Sequence, residues 1–364
     1  MLKTFKYRIY PNAEQQRSID ETLEHCRVLY NRLLAERIES YEKFGHSISW
    51  VDQGKSLPVR KGAIPALFSI HSQVLQDVSR RLNKTYQAFF RRVKSGEEKP
   101  GFPRFKPFGR YHSFTYPQSG FAMQGKVLHL SKIGGVKVKL HRPIFGKIKT
   151  CTIIVKNGHY YACFSCEVEP TLLPWSDLSI GVDVGIKHLA ITSDGKVFEP
   201  PKFLRKSERK LKQKQRQVSK SKKGSKRRRK RVRALSKVHE HIANQRRDFA
   251  HKVARYLVNT YGVIAFEKLN ISGMLKNHHL AKSIQDAGWN QLINLTIVKA
   301  EEAGRNVVLV NPKHTSQDCS TPGCSYRKTD LTLKDRVWQC PRCGTLHDRD
   351  INAANNILAR ALAG

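Results

Sequence analysis

The sequence predicts a multidomain protein whose first part is α+β and whose second part is α/β. Residues 112–169 show the alternation typical of β-strands, after one N-terminal strand and two long helical patterns. Beyond Pro170 and Pro174, short apolar strands alternate with helices. Near the C-terminus, four cysteines form two closely spaced pairs, a pattern that indicates a small metal-bound module.

The N-terminal part begins with a strand and continues with two helices. Residues 5–9 alternate between apolar and basic side chains, which predicts a half-buried strand. Asn12 and Gln15 have the spacing of a capping box, and the helix that they begin is predicted to extend to about Arg37. A second helix is predicted over residues 71–95. The short strands and glycine-containing turns after it predict a small β-barrel, with the helices inserted between its first and second strands.

The chain is strongly basic. It contains 67 Lys and Arg against 29 Asp and Glu, a net charge of +38, which is typical of proteins that follow phosphate backbones. A basic tail on a neutral globule does not explain this excess, because the cations are spread from Lys3 to Arg360. No apolar stretch approaches the roughly 18 residues of a membrane-spanning helix, and no secretory signal is evident. We therefore expect a cytoplasmic protein, associated with the nucleoid through its partner and not with a membrane.

The densest positive charge lies in residues 219–233, which contain ten Lys or Arg in fifteen positions. A free segment of this kind would be a disordered basic arm. Because an amphipathic helical pattern follows it, we favour a charged helical arm that nucleic acid orders. Contacts with nucleic acid are predicted for eight of its residues: Lys222, Lys223, Lys226, Arg227, Arg228, Arg229, Lys230 and Arg231.

Three acidic residues occur at the ends of elements in the α/β part. Asp183 and Glu267 each end an apolar strand, and Asp350 begins the last helix. Singly, they could be a turn former, a surface ion pair and a helix cap. Together, three carboxylates on one α/β layer predict two Mg²⁺ ions, because hard divalent ions prefer oxygen ligands. Two such ions, ~3.5–4 Å apart, can activate water and stabilise the leaving 3′ oxygen of a phosphodiester, so the sequence predicts a metal-dependent nuclease.

The cysteine pairs predict a structural zinc site. Cys319 and Cys324 have four residues between them, Cys340 and Cys343 have two, and fifteen residues separate the pairs. Four thiolates in two knuckles suit tetrahedral Zn²⁺ and leave no open position for catalysis. His347 is a further candidate ligand, but the four thiolates already complete the shell.

Five segments, in this order along the chain, resemble TnpB, the OrfB-type proteins of bacterial and archaeal insertion sequences and apparent ancestors of type V CRISPR effectors. These segments are Gly181–Lys187, Phe266–Asn270, Asp286–Trp289, Thr315–Cys319 and His347–Ala354. The family's aspartate two residues before Asn-Ala-Ala corresponds to Asp350 and not to Asp348. The first cysteine pair departs from the two-residue spacing of many relatives but stays within zinc-ligand spacing.

The resemblance implies a wedge-type β-barrel with a helical recognition insertion, followed by a RuvC nuclease domain of RNase H-like fold that is interrupted by a zinc ribbon. The implied ranges are 1–10 and 106–174 for the barrel, 11–105 for the insertion, 175–317 and 345–364 for the nuclease, and 318–344 for the ribbon.

The resemblance also implies an RNA-guided DNA endonuclease, which we expect to be a monomer. It would bind a guide RNA from the end of the element and cut double-stranded target DNA beside a short motif, with Asp183, Glu267 and Asp350 as the catalytic carboxylates. Guide pairing reads the sequence in such proteins, so the protein itself needs mainly backbone contacts. Ser72, Gln73 and Gln76 resemble the motif-reading region, although an exposed helix face also explains them.

Three other functions remain open at this point. The first is a strand-transferring transposase, since integrases also use three acids on an RNase H-like fold. The second is a cleavage-silent, RNA-guided DNA-binding repressor, against which the presence of all three acids speaks. The third is a zinc-ribbon RNA-binding protein without chemistry, which does not explain Asp183 and Glu267.

Overall fold

The structure, a computed structural model, describes residues 1–96, 99–332 and 334–363. The chain divides into two compact units, the first comprising Met1–Glu169 and the second beginning at Pro170. Both combine helices with β-sheet. None of the described helices has the length and apolar character that crossing a bilayer requires.

The first unit places helices between its first and second strands. Its elements are β1 (Leu2–Tyr10), α1 (Ala13–Phe44), α2 (Trp50–Lys55), α3 (Leu57–Ala63), a 3-10 turn (Pro65–Ser69), α4 (Ser72–Lys94), β2 (Ser113–Tyr116), β3 (Phe121–Gln124), β4 (Val127–Leu130), β5 (Gly134–Lys139), β6 (Lys147–Lys156) and β7 (His159–Glu167).

Helix α1 begins at the predicted capping box and ends later than predicted. The Asn12 side chain accepts a hydrogen bond from the Gln15 amide (2.8 Å), and the Gln15 side chain accepts one from the Asn12 amide (3.0 Å), which confirms the box. The predicted end near Arg37 is wrong. The helix continues because Ile38 still packs against the core, and it ends where Gly45 adopts a left-handed conformation (φ 62°) that other residues rarely adopt.

The seven strands of the first unit form one sheet in the order β2-β6-β7-β1-β5-β4-β3. Its edges, β2 and β3, are consecutive in the chain, so the four-residue turn between them requires the sheet to roll up. The edges meet through side chains, since the Tyr116 and Phe121 rings lie 6.4 Å apart and the Tyr116 hydroxyl donates to the Ser131 carbonyl (2.9 Å). The predicted barrel is therefore a rolled, open sheet.

The second unit is built around a five-stranded mixed sheet. Its elements are β8 (Ser179–Asp183), β9 (Ala190–Thr192), β10 (Val197–Phe198), α5 (Phe203–Ser219), α6 (Lys226–Thr260), β11 (Val263–Glu267), α7 (Ile271–Met274), α8 (His278–Ala287), α9 (Trp289–Ala303), β12 (Asn306–Val310), β13 (Val337–Gln339), β14 (Leu346–Asp348) and α10 (Arg349–Ala363).

The topology of this sheet brings the ends of the acidic strands together. The strand order is β10-β9-β8-β11-β12, with β8, β11 and β12 parallel and β9 and β10 antiparallel. Parallel neighbours end at the same edge, so the C-terminal residues of β8 and β11 lie side by side. Strands β13 and β14 form a separate two-stranded ribbon next to the cysteines.

Candidate active site

Asp183 and Glu267 are positioned by the register of two parallel strands. Val182 pairs with Phe266, so the next residue of each strand, Asp183 and Glu267, continues the same register. Neighbouring strands lie about 4.8 Å apart, which places the two Cα atoms at adjacent points on the sheet edge. The apolar residues before them are buried and anchor both strands in the core.

Asp350 reaches this edge from helix α10, which packs closely against β8. The Asp348 side chain accepts hydrogen bonds from the amides of Asp350 and Ile351, both at 3.0 Å, and so caps the helix. Asp350 lies in the first turn and lacks this capping role. The two neighbouring acids therefore have different tasks: Asp348 begins the helix, and Asp350 presents a carboxylate from it.

The negative charges of Glu267 and Asp350 both act on Asp183. Burial raises the pKa of Asp183 to about 7, and the negative charges of Glu267 and Asp350 add to the rise. Although Asp183 keeps partial exposure to solvent, the protein atoms around it make desolvation the largest cause. Arg349 acts in the opposite direction. A carboxyl group pushed towards neutrality in this way is stabilised as an anion when a cation binds beside it.

Glu267 is the most buried of the three, with 9% of its surface exposed. Burial raises its pKa, while the Thr315 hydroxyl, which donates to its Oε1 at 2.5 Å, and the more distant Arg360 lower it. The Arg360 guanidinium is fixed by the carbonyls of Asn311 and Lys313 and by Asp318. Thr315 thus orients Glu267. The sequence did not predict this role, although Thr315 lies in Thr315–Cys319, one of the five segments that resemble TnpB.

Asp350 has a basic neighbour that sequence reasoning also missed. The Arg336 guanidinium lies 3.5 Å from its Oδ1, and both side chains are partly exposed. The Arg336 carbonyl accepts from the Arg349 amide (2.8 Å), which holds this residue at the start of α10. Only spatial proximity reveals this pairing, since fourteen residues separate the two in the chain.

The three carboxylates are less tightly grouped than the ligands of a single ion. Over the described ranges, the only set of three or more His, Cys, Asp or Glu ligand atoms that all lie within 4.8 Å of one another is formed by cysteines. Ligands of one Mg²⁺ lie about 4 Å apart or less, given metal–oxygen distances of about 2.1 Å. Two ions about 4 Å apart spread their ligands over as much as about 8 Å. As placed here, the three carboxylates therefore do not form the compact ligand set of a single ion.

The cysteine cluster fits zinc. The Sγ atoms of Cys319 and Cys343 lie 3.6 Å apart, and those of Cys324 and Cys340 lie 3.7 Å apart. A tetrahedral site with Zn–S distances of about 2.3 Å requires sulfur separations of about 3.8 Å. The His347 Nε2 lies 3.1 Å from the Cys319 Sγ and its ring packs on Trp338, so His347 supports a thiolate from outside the four-sulfur set.

Two asparagines of α10 join the cluster to the carboxylates. The Asn352 amide donates to the Asp318 carbonyl (2.8 Å) and its oxygen accepts from the Ser320 amide (2.9 Å). Asn356, one turn later, donates to the carbonyls of Thr315 (2.8 Å) and Asp318 (2.7 Å). Helix α10 therefore fixes the segment that carries both Thr315 and Cys319. The four-residue spacing of two asparagines in an apolar helix was the signal for this role.

The predicted basic arm is a helical hairpin formed by α5, α6 and the turn between them. Arg228 donates to the carbonyls of Val218 (2.7 Å) and Ser221 (3.2 Å), and Arg231 donates to the Gln217 carbonyl (2.9 Å). These two arginines therefore hold the hairpin together. The other six predicted contact residues are exposed: Lys222, Lys223, Lys226, Arg227, Arg229 and Lys230.

The three predicted motif-reading residues do not point to one surface. Gln73 is engaged by the turn between β2 and β3, since its Oε1 accepts from the Ser119 amide (2.9 Å). Ser72 and Gln76 are exposed and line a cleft of about 610 Å³, where Lys61 donates to the Ser72 hydroxyl (2.9 Å). The structure thus brings Ser72 and Gln76 together and leaves Gln73 apart from them.

Comparison with protein families gives three matches. A model described as a probable transposase matches residues 163–278, and one described as a Cas12f1-like TNB domain matches residues 289–357. A model described as a helix-turn-helix domain matches residues 1–46, where the structure has strand β1 and the single helix α1.

Two relatives match nearly the whole chain. A putative RNA-guided DNA endonuclease of Streptomyces pristinaespiralis is 31% identical and covers 99% of this chain and 90% of its own length. The putative RNA-guided DNA endonuclease InsQ of Escherichia coli K12 is 30% identical, with 98% and 92% covered. Among solved structures, the mini-RNA-guided endonuclease CRISPR-Cas_phi3 shares the fold, with a TM-score of 0.52, 9% identity and coverage of 99% and 92%. The chain is a member of the TnpB family, the OrfB-type proteins of insertion sequences.

Proposed function

We propose that this chain is an RNA-guided DNA endonuclease that hydrolyses phosphodiester bonds at the site formed by Asp183, Glu267 and Asp350. The observation that carries the proposal is that Asp183 ends its strand in a buried position where its pKa rises to about 7, chiefly through desolvation and further through the charges of Glu267 and Asp350. Such mutual repulsion is costly unless a cation neutralises it. The names of the two full-length relatives support the nuclease activity and its RNA guide.

The donor set suits two Mg²⁺ ions, because all three side chains offer hard oxygen ligands and none offers sulfur or nitrogen. When bound, such ions supply an activated water and stabilise the leaving 3′ oxygen. The residues of the chain hold this site in shape. Thr315 orients Glu267, Asp348 caps the helix that presents Asp350, and Arg336 balances the charge of Asp350.

The five-stranded sheet supports a RuvC-type nuclease domain of RNase H-like fold. Its first three strands, β10-β9-β8, are antiparallel, and the remaining two, β11 and β12, run parallel to β8. In this proposal the cysteine cluster binds one structural Zn²⁺. The zinc-bound cluster would then hold the start of α10 in place. Asn356 of this helix bonds to the Thr315 carbonyl, and the Thr315 hydroxyl bonds to Glu267.

The partners proposed are a guide RNA and double-stranded target DNA. A net charge of +38 and the six exposed cations of the hairpin turn support contacts with phosphate backbones. Ser72 and Gln76 are proposed to contact the short motif beside the target, since both are exposed on one cleft and Gln can read an adenine edge. Gln73 is proposed to position α4 instead, because its side chain already holds the backbone of Ser119.

Cleavage of a guide-matched target by purified protein with its co-purified RNA tests the function. We expect Asp183→Asn, Glu267→Gln and Asp350→Asn each to lower the cleavage rate by at least about a hundredfold, since each replaces a charged carboxylate ligand with a neutral amide. Guided DNA binding should persist. Asp348→Asn is the matched control, because asparagine also caps helices and this variant should cut at close to the normal rate.

The same assay separates the alternatives. The family description "probable transposase" keeps strand transfer as a second candidate, which predicts joining of labelled element ends in Mg²⁺. A repressor predicts guided binding without cuts in the unaltered chain. Normal cutting by the Asp350→Asn variant would contradict the proposed site.

A further inference from the structure

The first unit contains a cavity of about 730 Å³ between the C-terminal halves of α1 and α4. Its wall is unusually aromatic, since it includes Tyr41, Trp50, Tyr86, Phe89, Phe90 and Phe102. The volume lies in the range of pockets that enclose small organic molecules, about 300–1,000 Å³. Neither the carboxylate site nor the cysteine cluster contributes to it, because both belong to the second unit.

The rings of this cavity form an ordered array that continues to the surface. Tyr86 and Phe90 stack, with centroids 6.2 Å apart and planes at 28°. Phe102 meets Tyr86 edge-on at 5.7 Å and Phe89 edge-on at 5.2 Å. Tyr41 is 66% exposed and Phe90 is 58% exposed, so apolar ring surface faces solvent at the mouth. A contiguous exposed apolar patch beside a cavity is typical of an interaction site.

The wall also contains polar groups suited to a flat, hydrogen-bonding ligand. Arg37 is 8% exposed; its Nε donates to Gln53 (2.8 Å), whereas its buried Nη2 has no hydrogen-bond partner in the described part of the chain. Because that nitrogen is itself buried, Arg37 supports the wall from behind, through Gln53 and through the Tyr86 ring, whose centroid lies 5.2 Å from its guanidinium carbon. The amides of Asn83 and Gln87, one helical turn apart on α4, offer both donors and acceptors.

We propose that this cavity binds an unstacked nucleobase of a single-stranded nucleic acid. A base is planar, presents an aromatic face for Phe90 and Tyr86, and has polar edges for Asn83 and Gln87. The net charge of +38 also draws polyanions to the surface and not apolar segments. The inference goes beyond the proposed nuclease function, which requires no base pocket in the first unit.

The test compares two probes of equal length and charge on the full chain: a twelve-residue single-stranded DNA and the same strand with every base removed. The ratio of their dissociation constants measures what the bases contribute. We expect Phe90→Ala to reduce this ratio by between about fivefold and about 150-fold, the range that one base–aromatic stack supplies. Phe90→Tyr should retain it. Phe108→Ala, which removes a ring that is 83% exposed and lies outside the cavity, should leave it unchanged.

The salt dependence gives an independent readout. The affinity that phosphate contacts contribute decreases as the salt concentration rises, whereas the affinity from base stacking does not. Phe90→Ala should therefore lower the affinity without changing the slope of log K against log salt. A 2-aminopurine base in the strand should be quenched by the unaltered chain and by Phe90→Tyr but not by Phe90→Ala. Equal base contributions in the Phe90→Ala and Phe108→Ala variants, or unchanged quenching, would overturn the proposal. Cleavage enters neither readout, so loss of the proposed nuclease function would leave this result interpretable.

Discussion

Gly181 of strand β8 lies directly against the backbone of Ala354 in helix α10, and a Cβ atom at position 181 would overlap the Ala354 carbonyl oxygen and lie 2.8 Å from the Leu358 nitrogen. Two residues after Gly181 the strand ends in Asp183, and four residues before Ala354 the helix presents Asp350. The absence of a side chain at position 181 therefore sets the distance between a strand and a helix that each carry one carboxylate of the site.

We predict that Gly181→Ala destabilises the second unit by about 1–3 kcal/mol, since backbone atoms must move to admit the methyl group. The same displacement should lower cleavage at least about tenfold, because it moves Asp350 relative to Asp183. Urea unfolding and cleavage rates measure the two effects. Gly62→Ala is the control: it lies in helix α3 with open space around it, so that variant should be as stable as the parent or slightly more so.

The raised pKa of Asp183 predicts how stability depends on pH. The folded chain holds a proton on Asp183 up to about pH 7, whereas the ordinary value for aspartate is 3.8. Between these two values the native state binds a proton that the unfolded state has released, so stability should fall as the pH rises from about 4 to about 7. Without Mg²⁺, the contribution of Asp183 to the unfolding free energy should therefore decrease by a few kcal/mol over this range.

Two measurements check this assignment. Asp183→Asn removes the titrating group, so the difference in unfolding free energy between this variant and the unaltered chain should change with pH by that amount. Mg²⁺ at pH 7 should restore stability to the unaltered chain, because it replaces the proton as the neutralising cation. An identical pH dependence in the unaltered chain and in Asp183→Asn would contradict a raised pKa for Asp183.

Local patterns predicted much of this fold and site. The capping box of Asn12 and Gln15, the acids at the ends of apolar strands and the paired cysteines each depend on residues close together in sequence. The barrel followed from such patterns, but its open edge did not, because β2 and β3 do not pair as strands and meet there through the Tyr116 and Phe121 rings.

The residues that bond to the candidate carboxylates could not be predicted from local patterns either. Thr315 lies 48 residues from Glu267, and Arg336 lies fourteen from Asp350. The basic arm illustrates the same limit. Composition assigned eight cations to nucleic acid, but only the packing of α5 against α6 identifies Arg228 and Arg231 as residues that bind the protein's own carbonyls.

Removal of one cysteine should disrupt the ribbon and, through it, the candidate active site. We predict that Cys340→Ser, which alters a fully buried member of the cluster, lowers the bound zinc from one per chain to a small fraction and lowers the melting temperature. Cleavage should also fall, since Asn352 and Asn356 tie Cys319 and Thr315 to the same helix. Cys163→Ser is the control, because this partly exposed thiol lies in β7, outside the cluster. Full zinc content and unchanged melting of Cys340→Ser would refute a structural zinc.

The hairpin provides a pair of substitutions that separates nucleic-acid contact from folding. Lys223 is exposed, whereas Arg231 donates to the Gln217 carbonyl and to the Ser221 hydroxyl, both at 2.9 Å. We predict that Lys223→Ala weakens binding of duplex DNA or RNA, lowers the salt slope by about 1 and leaves the melting temperature unchanged. Arg231→Ala should lower the melting temperature, because the Gln217 carbonyl keeps only the Ser221 hydroxyl (2.8 Å) as a side-chain donor and the link between α5 and α6 is lost. Filter binding at several salt concentrations and thermal unfolding distinguish the two effects. An unchanged salt slope in Lys223→Ala would remove that residue from the nucleic-acid surface, and an unchanged melting temperature in Arg231→Ala would show that its hydrogen bonds contribute little to the hairpin.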